Sequence, residues 1–324
     1  MKIGVTGANG FVGGHLLAAL KGAGDDVRAL VRSPDSLDAS RCKEIAQIPT
    51  LDRDIDPGEL STALAGLDTV VHLAARVHVM NAALDDEAFT RVNVDGSAHL
   101  FAACAAAGVK RFVFLSSVKA AGERSADRPL SAADAPAPED AYGRSKLAAE
   151  NRLRALAAGS DCDLVILRPA FVYGWPPTGN FRTVISAVLK GLPLPLAGID
   201  NHRDMTYVGN LADAIRAAAH APDLHETPYF IADAEPVSTP MLFRRVGEAF
   251  ARPARLFYMP VWLLHLAGKL TGRSATIARI SENFVVDTGP FRRDARWQPP
   301  YKMSEGLGAV AGAWRDAENR AGPV

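Results

Sequence analysis

Tyr142 and Lys146 stand four residues apart in Tyr142-Gly143-Arg144-Ser145-Lys146, a spacing that puts a phenol and an ammonium on one face of a helical turn. A free phenol titrates near pH ~10, and a nearby positive charge stabilises its phenolate. Tyr142 could then exchange a proton at neutral pH, with Lys146 supplying the charge. Alone, the pair reads more readily as a solvated surface stripe. Ser117 alters the balance. Ser116-Ser117 closes the apolar run Phe112-Val113-Phe114-Leu115, 25 residues before Tyr142. The carboxyl end of a parallel strand is where ligands meet a doubly wound sheet. A hydroxyl there suits an oxygen that gains or loses a proton.

The other chemical signal is Gly7-Ala8-Asn9-Gly10-Phe11-Val12-Gly13, directly after a short apolar run. Glycines at Gly7, Gly10 and Gly13 allow a tight turn, close approach to a pyrophosphate, and contact between helix and strand. The following helix N-terminus offers free N–H groups to the anion. A dinucleotide is the expected ligand, with Asn9, Phe11 and Val12 completing the cradle. At the end of the second apolar run stands Leu30-Val31-Arg32-Ser33, with no carboxylate to hold a ribose 2′-hydroxyl. Arg32 and Ser33 suit a 2′-phosphate, which favours NADP(H). NAD(H) stays open, with Arg32 stacked on adenine or lying in solvent.

The elements that must position these groups follow from the apolar pattern. Continuous apolar runs at 2–6, 27–31, 69–73, 111–115 and 164–167 read as strands buried on both faces. Between them, 14–22, 60–64, 89–107 and 142–158 read as helices, the third stopping at Gly108. This alternation is that of a doubly wound α/β fold with a parallel sheet. Residues 123–140 have no usable period and read as a long loop that delivers the chain to Tyr142. Beyond Gly174 the alternation fades, so residues 1–174 are expected to form mainly the dinucleotide-binding domain. Residues 175–324 would form mainly a smaller α/β substrate lobe, with some chain crossing back.

Composition narrows the class. The 324 residues suffice for two domains around a cleft, and 36 Lys plus Arg balance 36 Asp plus Glu, which argues against the cationic face a nucleic-acid partner requires. Cys42, Cys104 and Cys162 are far apart and lie outside any CxxC spacing, so neither a disulfide framework nor a metal site is expected. A reducing cytoplasm fits best. The first apolar run is too short for a signal peptide. The stretch 258–266, interrupted by Pro260 and His265, reads as a packed helix rather than a membrane anchor. No membrane partner is expected.

Taken together and in order, these motifs resemble the extended branch of the short-chain dehydrogenase/reductase family. The resemblance adds Val71-His72-Leu73-Ala74-Ala75, Asn93-Val94-Asp95-Gly96, Leu167-Arg168-Pro169, Val172-Tyr173-Gly174 and Trp297, and so covers nearly the whole chain. It implies a Rossmann fold and hydride transfer to or from a nicotinamide. Tyr142 would be the general acid/base, Lys146 would lower its pKa and hold the ribose, and Ser117 would position the substrate oxygen. Leu73, Ala74, Ala75, Asn93 and Pro169 would line the cofactor, although a backbone-bracing role for Asn93 is equally open. Related enzymes dimerise through helices corresponding to 97–107 and 148–158. Their small-residue faces serve internal packing as well.

The same resemblance implies a nucleotide-diphosphate sugar as substrate, most often a UDP-sugar. Arg203, in Arg203-Asp204-x-x-Tyr207-Val208-x-Asn210-Leu211-Ala212-Asp213, would clamp the diphosphate with its planar guanidinium. The alternative is a plain surface ion pair with Asp204. Asn180 and Phe181 would meet the base or sugar, and Arg279 would make a second phosphate contact. Dehydratases of the family carry an Asp-Glu pair where this chain has Val118-Lys119, and many epimerases carry a tyrosine where it has Ala121. Arg76-Val77-His78-Val79-Met80, Ser117-Val118-Lys119 and Leu270-Thr271-Gly272-Arg273 are similar to a bacterial subgroup. That subgroup reduces UDP-4-keto-6-deoxy-N-acetylhexosamines in surface-polysaccharide synthesis. Arg76, His78 and Lys119 would then be substrate contacts, and Arg76 and His78 loop braces in the alternative. A UDP-hexose 4-epimerase is the second reading. A non-catalytic dinucleotide sensor and a sterol or isoprenoid dehydrogenase are the others.

Overall fold

The computed structural model describes residues 1–53, 55–77, 85–224 and 228–321. The strands predicted from continuous apolarity form where both faces are covered. They are β1 (Lys2–Thr6), β2 (Asp26–Val31), β4 (Thr69–His72), β5 (Arg111–Leu115) and β6 (Asp163–Pro169), with the short edge strand β3 (Glu44–Gln47) after β2. The helices between them are α1 (Phe11–Gly22), α2 (Pro57–Leu64), α3 (Asp85–Phe89), α4 (Gly96–Ala106) and α5 (Ala141–Ala157). The single helix expected over 89–107 is α3 and α4 joined by a turn of π-helix, Thr90–Asp95. The wider turn carries the buried Asn93 inward.

The second half contributes β7 (Phe171–Tyr173), α6 (Gly179–Leu189), β8 (Met205–Tyr207), α7 (Val208–His220), β9 (Tyr229–Ile231) and α8 (Thr239–Ala249). It ends with α9 (Val261–Leu270), α10 (Ser274–Ser281), α11 (Gly289–Asp294) and α12 (Met303–Ala321). Among the described residues, seven strands form one sheet in the order β3-β2-β1-β4-β5-β6-β9, and every neighbouring pair is parallel. This is a doubly wound Rossmann sheet. The chain leaves β1 for β2 and β3 on one side and resumes at β4 on the other, which opens a crevice at the carboxyl ends of β1 and β4.

One face of the sheet packs Leu16, Leu17 and Leu20 of α1 with Leu211, Ile215 and Ala218 of α7. The other packs Leu60, Leu100, Phe101, Ala149 and Leu153 from α2, α4 and α5. A third core, around Phe181, Ile185, Val246 and Leu307, builds the C-terminal lobe, where β7 and β8 pair. A fourth apolar cluster joins Val118 and Ala121 to Ala170, Phe230, Phe284 and Val286, and so fixes the lobe beneath the turn that follows β5.

The stretch expected as a packed helix is helical but only partly packed. Of α9, Leu264 and Gly268 are buried, while Trp262, Leu266 and Leu270 are 68%, 45% and 80% exposed. The helix lies on the lobe surface with α10 behind it, so one side finds a neighbour and the other does not. Among the described residues no helix is long and apolar enough to cross a membrane.

The glycine turn shows why only glycine fits. Gly7 has φ of 66°, and a Cβ on Gly13 would lie 2.2 Å from the Gly7 carbonyl oxygen and 2.8 Å from the Ala8 backbone. Neither neighbour is a side chain that can swing away. Gly13→Ala should therefore cost about 1–3 kcal/mol. A thermal-unfolding midpoint equal to that of the parent would show that the turn can relax.

Candidate active site

β5 ends at Leu115, and Ser116 and Ser117 carry the chain over the carboxyl edge of the sheet. Ser117 caps a short 3-10 turn over Val118–Ala120, its Oγ accepting the Lys119 N–H at 3.2 Å. α5 begins beside this turn. Its N-cap Asp140 accepts the Gly143 N–H at 2.7 Å, and a Cβ on Gly143 would stand 2.5 Å from the Lys119 carbonyl oxygen. The absent side chain at Gly143 thus lets the first turn of α5, bearing Tyr142, lie against the turn that bears Ser117.

Lys146, one turn further, is buried, donates its Nζ to the Leu115 carbonyl at 2.8 Å, and lies 4.5 Å from the centre of the Phe114 ring. Burial pulls its pKa down to about 7, against an opposing pull from Glu150. Burial and the Asp140 carboxylate push the Tyr142 phenol above its usual value. The lowering of Tyr142 by Lys146 expected from the sequence is therefore corrected: the ammonium faces the end of β5. In the protein alone, Tyr142 holds its proton.

Glu150, a further turn along α5, is fully buried. It accepts Arg168 Nε at 2.9 Å and Nη2 at 2.6 Å, and Ser116 Oγ at 2.5 Å. Sequence reasoning missed Glu150. Its signal was the same four-residue step that links Tyr142 to Lys146. Asn93 takes the bracing role: its amide accepts the Arg76 N–H at 2.8 Å and donates to the Arg76 carbonyl at 3.1 Å and to Ser145 Oγ at 3.0 Å. Ser145 in turn donates to the Tyr142 carbonyl at 2.8 Å. His72 is also structural. Buried between Thr6 Oγ1 and Ser97 Oγ at 2.7 and 2.9 Å, it is held neutral by desolvation, its pKa down to about 3.

The predicted cofactor residues converge on the switch point. Gly7 packs against the loop holding Leu73, Ala74 and Ala75, where the Ala74 N–H meets Thr6 Oγ1 at 3.3 Å. Asn9 donates to Ser36 at 3.3 Å, which draws the turn after Arg32 and Ser33 toward the glycines. Arg32 and Ser33 are exposed there. α1 starts at Phe11 and Val12 with no side-chain cap and no acid in its first turn. Unpaired N–H groups and an unopposed helix dipole suit a pyrophosphate. Pro169 closes β6 at the same edge of the sheet.

On the substrate side, a carboxylate absent from the sequence reading organises the cations. Glu123 meets Lys119 and Arg279 at 3.1 Å each, and Lys119 also pairs with Asp140. Arg203 feels the same carboxylate, donates to the Glu282 carbonyl at 3.0 Å, and lies over Phe284. It does not pair with Asp204, whose buried carboxylate accepts the Val286 N–H at 2.8 Å. The Phe181 ring is buried in the lobe core against Tyr173, so only the backbone polar groups of this residue are left to meet a base or sugar. Asn180 and Arg76 are exposed, and His78 lies outside the described residues.

Comparison with known proteins places this geometry. Residues 3–232 match the NAD dependent epimerase/dehydratase family. A UDP-glucose 4-epimerase of Vibrio cholerae is 34% identical over 98% of this chain and 96% of that protein. A protein of Mycobacterium tuberculosis named "3 beta-hydroxysteroid dehydrogenase/Delta 5-->4-isomerase" is 36% identical over 76% of this chain and 68% of its own length. The solved structure of MoeE5 in complex with UDP-glucose and NAD superposes with a TM-score of 0.75 at 26% identity, over 98% of this chain and 99% of that one.

The buried Lys146 gives a pH-dependent prediction. Between about 7, its value in the folded chain, and ~10.4, the ordinary value, the unfolded chain holds a proton that the folded chain lacks. Stability of the parent therefore rises with pH across that window. Lys146→Met removes this slope, so its gain in thermal midpoint over the parent should be larger at pH 6 than at pH 9. The same gain at both pH values would show that the lysine is not desolvated.

Proposed function

The chain belongs to the NAD dependent epimerase/dehydratase family, and on that footing we propose that it oxidises or reduces carbon 4 of a nucleotide-diphosphate sugar, with a UDP-sugar as the substrate class. The observation that carries this reading is the close packing of the Tyr142 turn on the Ser117–Lys119 turn, with Lys119 and Arg279 both paired to Glu123 beside it. Ser117 offers its hydroxyl to the carbon-4 oxygen, and Tyr142 gives that oxygen a proton or takes one from it. Lys146 and Glu150 hold the α5 turn in place. Arg203 and Arg279 offer their planar guanidinium forks to diphosphate oxygens, and Lys119 adds the point charge of an ammonium. When bound, the nicotinamide supplies the hydride acceptor or donor. The glycine turn, Arg32, Ser33 and the 73–75 loop are the residues proposed to hold it.

Two outcomes of carbon-4 chemistry each have an observation behind them. The Ser117-Val118-Lys119 turn, similar to that of the bacterial reductase subgroup, favours reduction of a 4-keto-6-deoxy-N-acetylhexosamine in surface-polysaccharide synthesis. The Vibrio cholerae relative, matched over nearly both full lengths, favours UDP-hexose 4-epimerisation. The cofactor divides similarly. Arg32 without a neighbouring carboxylate favours NADP(H), while the family's name and the NAD in the MoeE5 structure favour NAD(H). A homodimer through α4 and α5 is part of the same proposal.

Incubation with UDP-4-keto-6-deoxy-N-acetylglucosamine and each reduced cofactor should oxidise the cofactor if the enzyme is a reductase. Interconversion of UDP-glucose and UDP-galactose without net oxidation would mark an epimerase. Turnover of a 3β-hydroxysteroid with neither sugar reaction would overturn the sugar reading. Tyr142→Phe should lower turnover by a factor on the order of 10²–10⁴ while leaving dinucleotide affinity unchanged. Full activity in that variant would remove Tyr142 from the chemistry.

A further inference from the structure

The balanced charge of the whole chain conceals a local imbalance. From residue 251 to residue 281 the sequence holds Arg252, Arg255, Lys269, Arg273 and Arg279 and no aspartate or glutamate, while the remainder has five more acidic than basic side chains. All five cations are exposed. The same segment carries Phe257, Tyr258, Trp262, Leu263, Leu266 and Leu270, each exposed, Tyr258 by 72%. Trp262, Leu266 and Leu270 recur every four residues and so form one stripe along the outer side of α9. Lys269 lies beside the stripe, and Arg273 follows just past the helix end. Single exposed apolar residues are ordinary, whereas a contiguous group that includes Trp and Tyr marks a contact surface.

We propose that this face, α9 with the loop before it and the turn after it, docks the protein on an anionic lipid surface. Apolar and aromatic side chains enter the headgroup boundary, while flanking Arg and Lys heads meet lipid phosphates. Charge favours this occupant over a second copy of the chain. A two-fold contact would set the same patch on both sides, so that each set of cations met another with no acid from this segment between them. α9 is too short to span a bilayer, so the contact is interfacial. The inner side of the same hairpin reaches the candidate site, since Arg279 on α10 bonds Glu123. A docked protein would therefore hold its substrate side within a helix's width of the lipid. This inference does not depend on which substrate the site accepts.

Sedimentation of the full-length protein with phosphatidylcholine vesicles, and with vesicles that also contain phosphatidylglycerol, tests it. The expected result is binding to the anionic vesicles that weakens as salt is raised. Trp262→Ser with Leu266→Ser should reduce that binding roughly tenfold or more. Lys269→Glu with Arg273→Glu should abolish the preference for anionic lipid, and both variants should keep the parent's thermal midpoint within a few degrees. Three results would overturn the proposal: no binding to anionic vesicles, binding unchanged in both variants, or conversion of a dimer to a monomer by Trp262→Ser with Leu266→Ser, which would place a second copy on this face.

Discussion

The Glu150 carboxylate is the point through which the candidate site is tied to the sheet. It lies in α5, yet besides Arg154 on the same helix its partners are Arg168 on β6 and Ser116 at the end of β5. A buried ion pair contributes little net stability, but loss of one partner is costly because the other charge is left unpaired in an apolar interior. Such a pair therefore fixes position more than it adds stability. Here it sets the rotation of α5 about its axis. Lys146 and Tyr142, one and two turns earlier on the same face, inherit that setting and meet the carboxyl edge of the sheet.

Around this anchor the site is built from close approaches that need small residues. Gly143 admits the Lys119 carbonyl, and Gly13 admits that of Gly7. Each brings a helix start against a turn, in one case for the acid–base group and in the other for the cofactor cradle. Asn93 adds a third constraint by holding both backbone groups of Arg76 and the hydroxyl of Ser145. The cation cluster differs in character. Lys119 and Arg279 share the largely buried Glu123 but are themselves 35% and 50% exposed, so their outward N–H groups can meet a further anion.

Much of the fold was legible because a strand covered on both faces leaves a continuous apolar run. β1, β2, β4, β5 and β6 all carry that mark. β3 did not show it because Glu44-Ile45-Ala46-Gln47 is an edge strand with only partial burial, and β9 was too short to stand out. The π-helical turn at Thr90–Asp95 was hidden because its cause, the tucking in of Asn93, lies in tertiary contacts. At the site, residue types and spacing revealed the acid–base group and the glycine turn. They could not reveal the protonation of Tyr142 and Lys146, since burial moves both groups toward neutrality and burial belongs to the assembled structure. Glu123 was missed because it lies in a loop without periodicity, and the outward side of α9 because an apolar run alone does not say which side finds a neighbour.

The return of α7 and β9 from the second half of the chain to the sheet bears on the order of assembly. α7 covers α1, and β9 completes the edge beyond β6. An emerging polypeptide that stops short of these elements leaves the apolar side of α1 open to water and β6 as a bare edge. The two halves are thus obligate folding partners. Neither the cradle nor the lobe is expected to mature as a free-standing fragment, and aggregation during synthesis is the hazard that this arrangement carries.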